Sequence, residues 1–321
     1  MNIRNNLHIA SSLFQLNQLI RLTSKKIILP FYHTISDEKL PHIHNLYSIR
    51  NRKLFERDID YLCQNFAPIS LDELYDIILE NKQLNKPVFH LSFDDGLSQV
   101  CSLIAPLLEK KGVPASIFIN TDFIDNKALF YRYKVSLIID NLSSDKKQKE
   151  DISNLLNIDL QDNNQISRQL LKLTYNDISM IDSIARIVNL DFEKYLSDSK
   201  PYLTSDEVLD LKNRGFSIGS HSSNHPLFTD LSFAEQKRQI IDSFRYLEER
   251  FGIQKQYFSF PFSDDGINTA FFQWLYENTN CKLSFGTSGL KEDFIKFHLH
   301  RIPFDGILQN AQSIIKTEYL F

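Results

Sequence analysis

Two short segments of the 321-residue chain carry side chains whose types and spacing could hold a divalent cation and an attacking water. The first is Asp94-Asp95-Gly96, which ends the apolar run Val88-Phe89-His90-Leu91-Ser92-Phe93. Two adjacent carboxylates are costly unless a cation neutralises them or one keeps a proton. The second is His221-Ser222-Ser223-Asn224-His225, which follows the short apolar stretch Phe216-Ser217-Ile218-Gly219. Imidazoles at His-x-x-x-His spacing can converge on one metal, and a carboxylate completes a facial set that leaves open positions. Alone, Asp-Asp-Gly reads equally well as a turn. Paired with two imidazoles at a second strand end, it reads as a metal centre.

These segments resemble the signatures of the polysaccharide deacetylase family (carbohydrate esterase family 4, the NodB-homology domain). Ser92 to Gly96 match its strand ending Thr/Ser-Phe-Asp-Asp-Gly, and His221 to His225 match its His-Ser/Thr-x-x-His. The resemblance extends from about Ile27 to about Ile307. It implies an α/β fold, a distorted (β/α)7-type TIM-like barrel. It also implies Asp95, His221 and His225 as metal ligands and Asp94 as the catalytic base. Two imidazoles and a carboxylate favour Zn2+, with Co2+, Mn2+ or Ni2+ as alternatives. The reaction implied is removal of an N-acetyl or N-formyl group from an amino sugar in a polymeric, oligomeric or lipid-linked saccharide.

The chain departs from the family pattern in two places. Where members often carry Arg-x-Pro-Tyr/Phe, this chain has Ser259-Phe260-Pro261-Phe262, without the arginine that orients the base. Arg301, at a late strand end, is expected to restore that cation, and the Phe262 backbone N–H to meet the oxyanion beside Pro261. The family's late histidine, the usual proton donor, has no clean counterpart. At most one of His298 and His300 is expected to face the barrel interior; His300 is preferred, ahead of His298 and His33. A catalytically silent carbohydrate-binding protein is the competing reading, favoured by the missing arginine and the blurred acid position. It is opposed by intact Asp94, Asp95, His221 and His225, since a binding module needs no unligated base. A metallopeptidase has little support, because no His-Glu-x-x-His helix is present.

The elements needed to position these groups can be traced along the chain. Residues 1–26 read as an N-terminal helical extension and 27–321 as the deacetylase barrel. Ile27 to His33 reads as the first strand, with His33 near Asp94 and a pocket role open to it; His42 and His44 read as surface residues. A helix follows from Leu54 to Leu62, then a short strand at Ala67–Ser70 and a helix capped by Ser70 and Glu73. Residues 97–111 read as a helix stopped at Gly112, and Ala115–Ile119 as the next strand. Strand–helix alternation of this kind closes parallel sheets into barrels. Residues 122–200 break the rhythm and read as a helical insertion over the barrel mouth. Within it, Phe130-Tyr131-Arg132-Tyr133 could stack on a sugar, or could merely anchor the insertion. Capped helices near 204–214 and 232–250, strands at 256–262, 282–286 and 297–303, and a core Trp274 complete the reading.

Composition narrows the class. Lys plus Arg number 36 and Asp plus Glu 40, a net charge of −4 that gives no electrostatic case for nucleic acid. At 42% hydrophobic and 24% charged, the chain is ordinary for a globular protein. Cys63, Cys101 and Cys281 lie far apart, so buried thiols are expected rather than disulfides. No run of 18 apolar residues occurs and no secretory signal is recognised. The expected location is the cytoplasm or the cytoplasmic face of a membrane. Residues 7–26 offer a candidate peripheral membrane contact, although a helix packed on the barrel is the simpler account.

Overall fold

The computed structural model describes residues 14–159, 162–307 and 309–321. Eleven short strands appear among them: β1 Ile27–Ile28, β2 Pro30–Tyr32, β3 Ala67–Pro68, β4 Val88–Phe89, β5 Leu91–Phe93, β6 Ala115–Ile119, β7 Ser217–Ser220, β8 Gln256–Ser259, β9 Cys281–Gly286, β10 His298–His300 and β11 Ile302–Pro303. Eight form one sheet in the order β10-β9-β8-β7-β6-β5-β2-β11, parallel throughout. The two outermost, β10 and β11, are separated only by Arg301. They are halves of one chain pass, so the sheet returns on itself. Counting that pass once leaves 8 − 1 = 7 passes around the barrel, a (β/α)7-type architecture.

The runs 27–33 and 88–93, read from sequence as single strands, are each split. β4 pairs with β1 on one side and β3 on the other in a separate three-stranded sheet, while β2 and β5 belong to the barrel. The changes fall at Leu29 and His90. The buried His90 ring bridges the gap, reaching Ile69 O at 2.9 Å and Ser116 Oγ at 2.7 Å. Burial lowers its pKa to about 4, so it is a neutral structural imidazole.

Other local expectations are revised. The helix expected over 97–111 opens with a π-helical turn at Val100–Ile104 before Ala105–Lys111. Pro106 has no N–H to donate four residues back, and the preceding turn widens instead. His42 is not a surface residue: it is 2% exposed and meets Tyr195 Oη at 2.7 Å. Trp274 is half-buried, with Lys237 Nζ over its ring. Of the three cysteines, Cys281 is buried, Cys101 is half-buried and Cys63 is exposed.

Among the described residues, five α-helices occupy the stretch between β6 and β7 that reads as the insertion: Tyr131–Asp140, Lys146–Leu156, Asn163–Leu170, Ile178–Ile187 and Phe192–Ser199. No strand lies between Ile119 and Ser217 among the described residues. These helices bury their apolar stripes, including Ile152, Ile166, Leu170, Ile181 and Ile184, in a cluster of their own. Ile43, Leu46 and Tyr47 of the loop after β2 join that cluster, which ties the insertion to the barrel mouth.

The amphipathic N-terminal pattern falls partly on residues 7–13, outside the described residues. Its described part, the helix Leu16–Thr23, buries Leu16, Leu19 and Ile20 in the main core with Ile314, Ile315 and Tyr319 of the helix Ala311–Leu320. Each such aliphatic side chain contributes about 1.5–3 kcal/mol by leaving water. This apolar face is therefore spent on the protein core. No helix of the described residues is long and apolar enough to cross a membrane.

Candidate active site

Asp94 and Asp95 follow β5, and both face one mouth because the chain turns sharply there. Asp95 adopts φ +70 and Gly96 φ +67, so the bend begins at the aspartate itself. A Cβ on Gly96 would lie 2.8 Å from Ile119 Cγ2, so the turn needs glycine as well. His221 follows β7 directly, and its loop is braced by its own hydroxyls. Ser222 N donates to Ser220 Oγ at 3.0 Å, and His225 N to Ser222 Oγ at 3.0 Å. Ser222, His225 and Phe262 also have positive φ, at 69, 62 and 59. Left-handed non-glycine residues are uncommon, and here they cluster around one cavity.

Asp95 Oδ1 lies 3.3 Å from His225 Nε2 and 3.6 Å from His221 Nε2. The three donor atoms all lie within 4.8 Å of one another. Asp95 Oδ1 is buried and lacks a hydrogen-bond donor, as is expected of a group whose partner is a cation. The surrounding groups orient the donors. Tyr133 Oη donates to Asp95 Oδ2 at 2.6 Å, and His221 Nδ1 meets Ser259 O at 2.8 Å, which leaves Nε2 free to face the cavity. Burial keeps His221 neutral, with its pKa lowered to about 4. Burial also opposes ionisation of Asp95, but the neighbouring imidazoles outweigh it and hold that carboxyl below the usual range. A neutral imidazole and an ionised carboxylate are the forms a metal requires, so these residues fit a divalent ion.

Asp94 stands beside this set, 3.9 Å from His221 Nε2. Arg301 grips it from below the mouth. Nη1 donates to Asp94 Oδ1 at 2.8 Å and Nη2 to Oδ2 at 2.7 Å, while Ser92 and Ser259 hydroxyls take the remaining bonds at 3.0 and 2.6 Å. The guanidinium packs over the Phe31 ring at 4.2 Å. Burial pushes the Asp94 carboxyl toward protonation, but the Arg301 charge prevails and holds it below its ordinary value.

The cavity above these groups measures about 280 Å³ and is lined by Phe31, His33, Asp94, Asp95, His221, His225 and several aromatics. Phe130 and Phe262 pack on His225, with ring centroids 4.2 and 4.6 Å away. His33 occupies the opposite wall. Its Nδ1 meets Asp305 Oδ2 at 3.0 Å, and its ring packs on Tyr47. Burial works against its protonation, but the Asp305 hydrogen bond and the charges of Asp95, Asp305 and Asp94 raise its pKa to about 9.

Three expected site residues are not brought to the cavity. His300 lies beside Asp264 and Asp293 instead. Residues 298 and 300 share one face of β10, opposite Leu299, and that face turns toward the helix layer rather than the mouth. Tyr131 is 7% exposed and packs against Phe262 and Tyr175, serving the insertion's core. Pro261 is buried behind Phe262, which is itself 40% exposed. The Phe262 N–H has no backbone acceptor among the described residues. Asp305 and Tyr47 escaped the sequence reading of the site, and Tyr133 was read only as a candidate sugar-stacking or anchoring ring, not as a partner of Asp95. Only Asp305 carried a signal, as a carboxylate just beyond a strand end.

With the barrel and its mouth described, the class of protein is defined: residues 81–277 match the profile of the polysaccharide deacetylase family, and the chain belongs to it. This places the chain among hydrolases that deacetylate acetylated saccharides. No curated protein sequence matches the chain. Solved structures do match in fold. The Streptococcus pyogenes deacetylase PplD, in complex with acetate, aligns with TM-score 0.60 at 17% identity, over 91% of this chain and 98% of that one. IcaB from Ammonifex degensii aligns with TM-score 0.57 at 12% identity, over 92% and 98%. A de-N-acetylase from Aggregatibacter actinomycetemcomitans aligns with TM-score 0.56 at 14% identity, over 89% and 97%.

Proposed function

We propose that the chain is a metal-dependent N-deacetylase that hydrolyses the amide of an N-acetylated or N-formylated amino sugar in a glycan or lipid-linked saccharide. Asp95, His221 and His225 would hold the ion, with Zn2+ favoured by the donor set. When bound, the ion supplies Lewis acidity, lowering the pKa of water and polarising an acyl carbonyl.

The chain's own groups do the rest. Asp94, kept ionised by Arg301, accepts the proton of the attacking water. The Phe262 N–H donates to the oxyanion as the carbonyl carbon becomes tetrahedral. His33, oriented by Asp305, gives a proton to the departing nitrogen as the C–N bond breaks. The products are a carboxylate and the free amino sugar. His33 replaces His300 in this role because its ring lines the same cavity as Asp94 and the metal donors. Phe130, Phe262 and Tyr47 supply apolar walls suited to a sugar's CH faces. The Arg301 guanidinium on Asp94 answers the missing arginine, one of the two features that favoured a silent binding module.

The observation that carries this reading is the convergence of Asp94, Asp95, His221 and His225, from two strand ends, on one cavity. The test is acetate release from chitooligosaccharides and from lipid-linked N-acetylhexosamines, with and without added zinc or cobalt. Metal-dependent release that Asp94→Asn abolishes is the expected result. A fully metallated protein that releases nothing from the whole panel, yet binds the sugars, would overturn it.

A further inference from the structure

We propose that Asp264, His298 and His300 form a second divalent-metal site, separate from the catalytic set, which clamps the loop after β8 to β10. His298 Nε2 lies 3.0 Å and His300 Nδ1 3.7 Å from Asp264 Oδ2. All three donor atoms fall within 4.8 Å of one another, the same bound met by the catalytic donors. Donors bound at about 2.0–2.2 Å around a tetrahedral ion sit roughly 3.3–3.5 Å apart, so small adjustments suffice.

The cluster has the outer partners expected of a metal site. The other nitrogen of each ring is already engaged: His298 Nδ1 with Ser284 Oγ at 2.7 Å, and His300 Nε2 with Asp293 Oδ2 at 3.5 Å. The other Asp264 oxygen accepts from Thr287 N at 3.2 Å. Metal-bound histidines are characteristically held in this way. The independent sign is His300 Nδ1, which is buried without a hydrogen-bond partner on a side chain only 6% exposed. Gly286 completes the cradle, since a Cβ there would overlap both the Asp264 carboxylate and His300 Nδ1. A cavity of about 640 Å³, lined by His298, His300 and Asp293, gives an ion access from solvent.

The clamp would bear on the catalytic cavity through two neighbours. Asp264 is two residues beyond Phe262, and His300 immediately precedes Arg301. Three protein donors leave a fourth position for water, and the ion would act here by tying Asp264 to His298 and His300.

The test is metal stoichiometry of the full chain, read by elemental analysis after zinc loading and gel filtration. Two equivalents are expected for the unaltered chain, and one each for Asp95→Asn and for His300→Gln. In the Asp95→Asn background, added zinc should raise Tm, and His300→Gln should remove that rise. One equivalent in the unaltered chain, unchanged by His300→Gln, would overturn the proposal and leave a hydrogen-bonded histidine network. If the catalytic set instead binds nothing, Asp95→Asn would leave the content unchanged while His300→Gln would lower it, so the two readings fail separately. Should His300→Gln not fold, Co2+ titration of the unaltered chain decides: a second absorbing equivalent supports the site, and saturation at one refutes it.

Discussion

Asp94 and Arg301 are 2% and 1% exposed, so neither charge can turn to water if its partner is removed. Breaking such a pair costs about 3–5 kcal/mol, chiefly because it leaves a buried charge uncompensated. Arg301→Ala should therefore lower kcat and shift the acid limb of the pH–rate profile to higher pH. The sign follows from the pair: the base works when ionised, Arg301 depresses its pKa, and losing Arg301 lets that pKa rise. An acid limb that stays put in Arg301→Ala would refute the link. Arg301→Lys should not rescue, since an ammonium cannot replace the two-pronged grip. For stability, the pair contributes fully above the unfolded Asp pKa and is lost as pH falls through the depressed folded value. Across the cavity, a proton donor must hold its proton. Activity should fade as pH rises through the His33 pKa, raised to about 9. Asp305→Asn should bring that alkaline limb to lower pH, which a comparison of the two profiles would reveal. The proposed metal donors and base were legible as residues because two compact motifs hold them. His33, the proposed acid, was legible only as the third of three candidate histidines, because its partner Asp305 is 272 positions away along the chain.

At the scale of elements, the helices between β6 and β7 do more than cover the barrel. Tyr133, from the first of them, places its hydroxyl on Asp95. Tyr133→Phe removes that bond and leaves Asp95 Oδ2 unsatisfied. It should weaken zinc affinity about 10- to 100-fold while the fold survives, as chelator competition alongside circular dichroism would measure. Unaltered affinity would reduce Tyr133 to packing alone. Deeper in the same cluster, Ile181→Ala should cost about 2–5 kcal/mol, read by urea denaturation, since Ile181 is fully buried. The helical character of this stretch was legible from its 3.6-residue apolar period. Its reach into the metal site was not, because periodicity reports which face is buried but not what that face touches. The same limit hid the breaks at Leu29 and His90. A continuous apolar run looks alike whether its halves pair with one sheet or with two.

For the whole molecule, the parallel barrel was legible from the strand–helix alternation, and seven passes follow from the sheet order. An ion held by three side chains from two strand ends should stabilise the entire fold. At 100 times its dissociation constant, it would add about 2.7 kcal/mol. Chelation is therefore expected to abolish turnover and lower Tm together, with both recovered on adding zinc. A Tm indifferent to chelator would argue against a bound ion.

The seam between β10 and β11 has a consequence for biogenesis. A ribosome releases Asp94, Asp95, His221 and His225 long before Arg301 emerges. Until that last pass docks, Asp94 has no guanidinium beside it. On the proposed mechanism, catalytic competence would arrive only with completion of the ring, and an incompletely docked C-terminal segment would leave Asp94 without its guanidinium.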